Sequence, residues 1–182
     1  PPPPPPLPLT RPPPRPTLEA DRRQRQMCIR DSINALSLIT IQYRNHHINL
    51  SLELSANDCF AYGNKYKLEQ VILNLLSNAK YAVDEKEVTG NIKYYQKRIT
   101  IRTKVSDGFI YVGIEDNGTG IPDEIIDNVF DPFLTTKKSE EGTGLGLSII
   151  YGIIKEMKGD INIESEAGKF TRVTVIIPEF RE

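Results

Sequence analysis

Residues 67–85, KLEQVILNLLSNAKYAVDE, decide how the rest of the chain is read. Leu68, Val71, Ile72, Leu75, Leu76, Ala79 and Val83 recur at helical spacing, which predicts an amphipathic helix with a broad apolar face against a core. Asn74 and Asn78 break that pattern. They stand four residues apart, so they stack on one side of the helix and lie beside the apolar stripe rather than opposite it. A single amide there reads most simply as a helix-surface group or one satisfied by backbone. Two at this spacing favour a site, because side-chain carbonyls are hard oxygen ligands suited to Mg2+, which keeps several waters and shares phosphate oxygens with the protein. The helix is therefore expected to present a metal and phosphates, provided glycine-rich loops elsewhere hold them.

The chain on either side supplies a sheet for this helix to lie on. Residues 33–44, INALSLITIQYR, read as the end of a helix, and His46 and His47 fall in the polar break after it. Residues 48–54, INLSLEL, alternate apolar and polar as a half-buried strand does. A turn at Asn57 and Asp58, a short strand over 59–62 and the pair Gly63-Asn64 lead into the helix. Residues 86–97 are polar and include Gly90, which predicts a loop of weak structure. RITIRTKV (98–105) and FIYVGIE (109–115) are alternating strands joined by the hairpin signal Asp107-Gly108. A short helix over 122–129 with Pro122 at its first position, an aperiodic stretch over 130–143, a helix over 145–157 ended by Gly159, and strands over 160–166 and 170–177 complete the order. The sum is an α+β fold, a two-layer α/β sandwich with a mixed, mostly antiparallel sheet and helices on one face.

Composition sets limits on function. The chain has 182 residues with 23 basic and 24 acidic side chains, a formal net charge of -1, which fits one soluble globular domain. No basic stripe marks a nucleic-acid binder, so no nucleic-acid partner is expected. No apolar run approaches the roughly 20 residues of a membrane span, so no membrane contact is expected of this stretch. The two cysteines, Cys28 and Cys59, fit a reducing compartment better than a disulfide framework, and a cytoplasmic setting is expected, as the soluble part of a membrane-anchored protein or otherwise.

The first residues stand apart. Eleven of the fourteen prolines fall within the first sixteen positions, a low-complexity segment that favours extended polyproline and cannot bury a core. RRQRQMCIRDS (22–32) resembles one reading frame of a transposase-based sequencing adapter, whose end ATGTGTATAAGAGACAG translates to Met27 through Ser32. Residues 1–32 are accordingly expected to be a non-native, adapter-derived segment and are set aside from fold reasoning. Residues 33–47 are expected to be the end of a dimerisation or linker helix, and residues 48–182 the folded domain.

Three motifs carry chemistry beyond the helix. Asp116-Asn117-Gly118-Thr119-Gly120-Ile121-Pro122 follows directly on a strand. Such a run puts a carboxylate at the floor of a cleft and lets backbone approach a ligand, since glycine tolerates positive φ. An ionised carboxylate only accepts hydrogen bonds, so Asp116 suits the exocyclic amino group of adenine; a tight turn with an Asx cap is the plain alternative. Gly142-Thr143-Gly144-Leu145-Gly146-Leu147 opens a helix, where outward N–H groups and the helix dipole make an anion site suited to a triphosphate. It lacks the Gly-Lys-Ser/Thr ending of a P-loop and does not follow a strand within a βαβ unit. Between the two motifs, FDPFLTTKKS (130–139) reads as an active-site lid. Phe130 and Phe133 are expected to hold it down, while Thr135, Thr136 and Lys137 approach phosphates.

The order Asn-x3-Asn on a helix, DNGTGIP, DPFLTTK, GTGLGLSI closely resembles the N, G1, F and G2 boxes of the catalytic and ATP-binding domain of sensor histidine kinases. The resemblance covers residues 33 to 182 and implies the Bergerat-type ATP-binding sandwich shared with DNA gyrase and the heat-shock chaperone ATPases. On that template Asn78 is the Mg2+ ligand, Asn74 supports metal and phosphates, and Asp116 binds adenine. Gly118, Gly120 and Ile121 shape the base pocket, and Gly142, Thr143, Gly144, Leu145, Gly146 and Leu147 hold the phosphates. Thr171 matches the threonine that assists Asp116, although the usual Gly-Thr pair is absent. Lys80 and Tyr81 stand one residue early against members with an Asn-Ala-x-Lys-Tyr sequence and receive no ligand role.

In the related ATPases a Glu one helical turn before the metal-binding Asn activates water, and this chain has Asn74 there. An amide cannot accept a proton at neutral pH, so bound ATP is expected to survive until another nucleophile arrives. Glu69 lies nine residues from Asn78, on a different face of the helix. The resemblance therefore implies a protein-histidine kinase domain that uses ATP and Mg2+ and donates the γ-phosphoryl group to a histidine on a separate dimerisation domain. A response regulator receiver domain is the implied downstream partner. His46 and His47 read as surface turn residues and not as the acceptor. Two alternatives share the fold, a non-catalytic nucleotide-binding regulatory module and a serine kinase of the anti-sigma type.

Overall fold

In FIYVGIED and FTRVTVIIP an apolar side chain stands at every second position, and pairing the two strands antiparallel puts both apolar rows on one face. The computed structural model describes residues 26–34, 37–56, 59–90, 94–135 and 144–180. In chain order these form β1 (Gln26–Cys28), α1 (Ile29–Asn34), α2 (Ser37–Asn45), β2 (Asn49–Glu53), β3 (Phe60–Tyr62), α3 (Lys65–Thr89), β4 (Arg98–Ser106), β5 (Phe109–Asp116), α4 (Asp123–Ile126), α5 (Gly146–Glu156), β6 (Asp160–Glu166) and β7 (Phe170–Pro178). The main sheet has the order β2-β4-β5-β7-β6. Only β2 and β4 run parallel, which the α3 crossover between them permits, and the other pairs are antiparallel.

Alternation gives the sheet two unlike faces. Ile99 and Ile101 of β4, Ile110, Val112 and Ile114 of β5, and Val173, Val175 and Ile177 of β7 are all buried. Against them lie the predicted stripe of α3, from Leu68 to Val83, and Ile150 and Ile154 of α5. Each such side chain contributes about 1.5–3 kcal/mol by leaving water. The opposite face carries a charge ladder across all five strands. Arg102 bridges Glu53 at 2.7 Å and Glu115 at 3.0 Å, and Arg172 bridges Glu115 at 2.7 Å and Glu164 at 3.1 Å. One face packs and the other is solvated, which is the expected sandwich.

The central helix is longer than its apolar stripe suggests. Asn64 caps it by accepting the Tyr66 N–H at 2.9 Å, and it runs on to Thr89, so residues 86–89, expected as loop, are helical. Lys86 and Glu87 are good helix formers, and Asp84 and Glu87 hold Lys97 at 3.0 and 2.8 Å, tying this end of the helix to the entry of β4. The short helix after Pro122 is also revised. It covers only Asp123–Ile126, with Pro122 as its cap, and Val129 lies in the turns that follow.

Two departures concern the first elements. β3 does not join the main sheet but pairs antiparallel with β1, so residues 26–32, set aside in the sequence reading, are packed on this fold. Met27, Ile29 and Ile33 are buried in the same core as the α3 stripe, and the Ile29 N–H donates to the Cys59 carbonyl at 3.1 Å. The helix expected over 33–44 comes as α1 and α2, and in α2 Tyr43 is buried with its hydroxyl donating to the Leu76 carbonyl of α3 at 2.8 Å. Asn57 and Asp58, expected in a turn, lie outside the described residues.

Candidate functional site: a cleft between the central helix and two glycine-rich loops

The buried row of β5 ends in a carboxylate. Asp116 continues the alternation of Ile110, Val112 and Ile114 onto the core face, lies opposite Thr171 of β7 in register, and is only 6% exposed. Beyond it the chain must turn sharply under α3. The Asp116 carboxylate accepts the Gly118 N–H at 2.8 Å, and a Cβ on Gly118 would stand 2.5 Å from the Ala82 carbonyl carbon, so the loop reaches the helix only because it lacks one. Gly120 has φ +68, where a side chain is strained, and a Cβ there would meet the Glu166 carbonyl oxygen at 2.2 Å. Thr119 N–H donates to the Ala82 carbonyl at 3.2 Å, closing the loop onto α3.

The rest of the cleft converges on that floor. Its volume is about 310 Å³. From α3 it receives Asn74, Ser77, Asn78, Tyr81 and Glu85, from the loop Gly120 and Ile121, from the segment after Phe133 Leu134 and Thr135, and from the start of α5 Gly144, Gly146 and Leu147, with Thr171 beside Asp116. Apolar walls come from Leu75, Ile114, Ile125, Val129, Ile163 and Val173. A Cβ added at Gly146 would lie 4.0 Å from the Asn78 side-chain nitrogen, so the first turn of α5 abuts the second asparagine. Leu145 caps α5 without a side-chain hydrogen bond to the first-turn amides. An apolar slot with a carboxylate at one end, and amides with a helix N-terminus at the other, suits a ligand with a flat base and an anionic tail.

Of the residues singled out in the sequence, Asn74, Asn78, Asp116, Gly120, Ile121, Thr135, Gly144, Gly146, Leu147 and Thr171 line this one cleft. Gly118 and Leu145 stand behind the wall, as the contact with Ala82 and as the helix cap. Thr136, Lys137, Gly142 and Thr143 lie outside the described residues. The two phenylalanines part company. Phe130 is partly buried with its ring centroid 5.3 Å from that of Tyr151, whereas Phe133 is 75% exposed and ties in through its backbone instead, its N–H donating to the Gly144 carbonyl at 3.0 Å. Lys80 turns to Asp84 at 2.6 Å and Glu69 faces Lys65 at 3.7 Å, and neither lines the cleft.

Several groups had no signal in the sequence. The Ser165 hydroxyl accepts the Ile121 N–H at 2.8 Å, donates to the Phe170 carbonyl at 2.8 Å and lies 3.1 Å from the Thr171 hydroxyl, binding the loop to the last hairpin. Its position, one strand over from Thr171 on the same face, follows from register alone. Asn117 is fixed from four sides. Its side chain accepts the Arg98 N–H and donates to the Gln96 carbonyl, both at 2.8 Å, and its carbonyl accepts from Lys86 at 2.7 Å and from the Tyr95 hydroxyl at 3.0 Å. Burial pushes the Asp116 carboxyl up, the Gly118 N–H and the Lys86 charge draw it down, Glu115 adds to the rise, and it stands at about 7.

A divalent cation has a donor set here. Among the described residues no group of three or more His, Cys, Asp or Glu side chains forms a metal site; the cleft lining does hold the side-chain amides of Asn78 and Asn74, which would serve a cation together with the oxygens of its ligand. That donor chemistry fits Mg2+, which accepts few protein ligands and keeps waters or phosphate oxygens.

Residues 63–181 match the family model described as histidine kinase-, DNA gyrase B-, and HSP90-like ATPase. The sensor kinase CckA of Brucella abortus is 39% identical over 124 residues, 64% of this chain and 13% of that protein. Sporulation kinase C of Bacillus subtilis is 35% identical over 120 residues, 66% of this chain and 25% of that protein. The chain thus spans at most about a quarter of the length of these curated relatives. The solved catalytic domain of histidine kinase ThkA superposes with a TM-score of 0.71 at 27% identity, covering 85% of this chain and 96% of that one. The chain belongs to the histidine kinase-, DNA gyrase B- and HSP90-like ATPase family.

Proposed function

We propose that this chain is the ATP-binding catalytic domain of a sensor histidine kinase, which holds Mg-ATP and gives its γ-phosphoryl group to a histidine on a separate dimerisation domain. The observation that carries this reading is the absence of a base beside Asn78 in the described cleft. Asn74, one turn earlier, is an amide. The carboxylates lining the cleft are Asp116, at its floor, and Glu85, seven residues beyond Asn78 and so about 10 Å along the helix axis. Water next to a γ-phosphate held at Asn78 would meet at Asn74 an amide, which cannot take its proton.

Each residue then has a task. Asp116 accepts the adenine amino hydrogen, and Thr171 and Ile121 flank the base. Asn78, with Asn74 behind it, holds the metal, which when bound neutralises phosphate charge. The first-turn amides of α5 at Gly146 and Leu147 face the phosphates, with Thr135 beside them; the phosphate-binding roles expected of Thr136, Lys137, Gly142 and Thr143 from the family resemblance belong to the same proposal. The incoming histidine supplies the nucleophile, and a receiver domain takes the phosphoryl group onward. No helix among the described residues is long and apolar enough to cross a membrane, and we assign the domain to the cytoplasmic part of its parent kinase. Residues 1–32 we ascribe to an adapter-derived junction, with residues 33–47 the end of a linker helix. Sequencing reads from an adapter-free library that carry the same junction at Ser32 would overturn that ascription.

The test supplies γ-labelled ATP and Mg2+ to the chain alone and with a histidine-bearing dimerisation domain from a related kinase. The reading predicts little hydrolysis alone and acid-labile phosphate on the supplied domain. Rapid hydrolysis by the chain alone, or acid-stable phosphate on serine, would refute it.

A further inference from the structure

The adenine-binding role proposed for Asp116 is the premise here. A carboxylate that accepts a hydrogen bond from a neutral amino group does so best when ionised, yet Asp116 is deeply buried at the cleft floor. Within the described structure its negative charge is met by the Gly118 N–H at 2.8 Å and by the charge of Lys86.

Lys86 is placed unlike its neighbours. Lys80 and Lys97, on either side of the same helix end, are both paired with Asp84, at 2.6 and 3.0 Å. The Lys86 ammonium instead donates to the Asn117 carbonyl at 2.7 Å, with the Lys169 carbonyl at 3.4 Å, and stands 5.2 Å from the centre of the Tyr95 ring. It therefore grips the carbonyl of the residue that follows Asp116, and that residue is held by Tyr95 at the same carbonyl and by Arg98 and Gln96 at its side chain. The burial of Lys86 lowers its proton affinity, and the Asp116 charge acts against that loss.

We propose that Lys86 is a positioning residue of the nucleotide site, holding the Asn117 carbonyl and by its charge favouring the ionised form of the Asp116 carboxylate that an adenine amino group needs. The other ionisable groups at this corner do not do the same work. Tyr81 and Glu85 of α3 line the cleft, and Tyr95 is neutral, its phenol pushed above the usual range by burial and by nearby carboxylates. β7 contributes the uncharged Thr171, and Glu115 is engaged by Arg102 and Arg172 on the opposite face.

Calorimetric titration with Mg-ADP from pH 6 to pH 9 tests this on wild type, Lys86→Met, Lys86→Gln and Lys86→Arg. Removing a cation near a buried carboxylate raises its proton affinity, so the Met and Gln variants bind about three- to tenfold more weakly at pH 6 and match wild type at pH 9. Lys86→Arg keeps the charge and follows the wild-type profile. Weakening by one constant factor at every pH, or no weakening at any pH, would overturn the proposal. Asp116→Asn separates the two levels. If it weakens binding about tenfold or more while Lys86→Met leaves the pH profile unshifted, Lys86 has no such role and the nucleotide reading stands. If Asp116→Asn binds Mg-ADP as wild type does, the premise itself fails.

Discussion

Replacing Asp116 by Asn should stabilise the empty protein while disabling it. Asp116 is 6% exposed, and its carboxyl rises from 3.8 to about 7 because burial opposes its charge. At 1.36 kcal/mol per pH unit, that rise corresponds to about 4 kcal/mol held against the ionised form. The sign follows from proton linkage. Between pH 4 and 7 the folded chain binds this proton more tightly than the unfolded one. Its contribution to stability is therefore fully present below about pH 4, declines as pH rises, and is flat above about pH 7. The substituted amide does not titrate, so the gap between variant and wild type should widen by about 2–3 kcal/mol from pH 5 to pH 8. That amide still accepts the Gly118 N–H but brings donors that need partners in a buried place, at about 1–3 kcal/mol. The net gain at pH 8 is therefore about 1–3 kcal/mol, or a rise in Tm of about 2–4 °C for each kcal/mol. Urea denaturation at the two pH values, without nucleotide, reads this directly. A gap of equal size at pH 5 and pH 8, or one that narrows with rising pH, would refute the reasoning. The same variant should lose about ten- to a hundredfold in Mg-ADP affinity, because a charge-assisted hydrogen bond becomes a misdirected one.

Two further outcomes probe the frame around the cleft. Lys97→Met should cost about 1–2 kcal/mol in urea denaturation, less than a fully buried pair because Asp84 keeps Lys80 and some solvent; burial raises the Asp84 carboxyl, but hydrogen bonds from Lys80 and Lys97 outweigh it, so the wild-type contribution is lost as pH falls through that lowered value, and the variant should show a weaker acid-side dependence. Tyr43→Phe removes the hydroxyl that reaches the Leu76 carbonyl at 2.8 Å and should cost about 1 kcal/mol, with hydrogen exchange accelerating in α2 while β5 and β7 stay protected.

What the sequence made legible was what repeats. The seven apolar positions of α3 and the strict alternation of β5 and β7 carry periodicity, and all seven α3 positions are buried. Asn74 and Asn78 were legible as a pair of amides four apart beside that apolar stripe, Asp116 as the carboxylate of a glycine-rich run following a strand, and the three line one cleft. Aperiodic features were not legible. The helix propensity of Lys86 and Glu87 was a weak signal, and the ion pairs of Asp84 and Glu87 with Lys97 that hold this helix end form across a loop. β1 was hidden for a related reason, since its partner β3 lies more than thirty residues on and its likeness to an adapter sequence invited exclusion. Ser165 and Lys86 are ordinary surface residue types until strand register and helix length bring them to the loop of Asp116. Phe133 misled because aromatic character predicted burial, while the residue uses its backbone at φ +68 to meet Gly144.

The central claim is that the two asparagines of α3 hold a metal-bound triphosphate, and calorimetric titration of ATP with and without Mg2+ into wild type and Asn78→Ala tests it most directly. The account predicts that Mg2+ tightens ATP binding by wild type at least about tenfold, a difference of about 1.4 kcal/mol, and that Asn78→Ala erases this gain while retaining the weak metal-free affinity. An unchanged magnesium dependence in Asn78→Ala would contradict it.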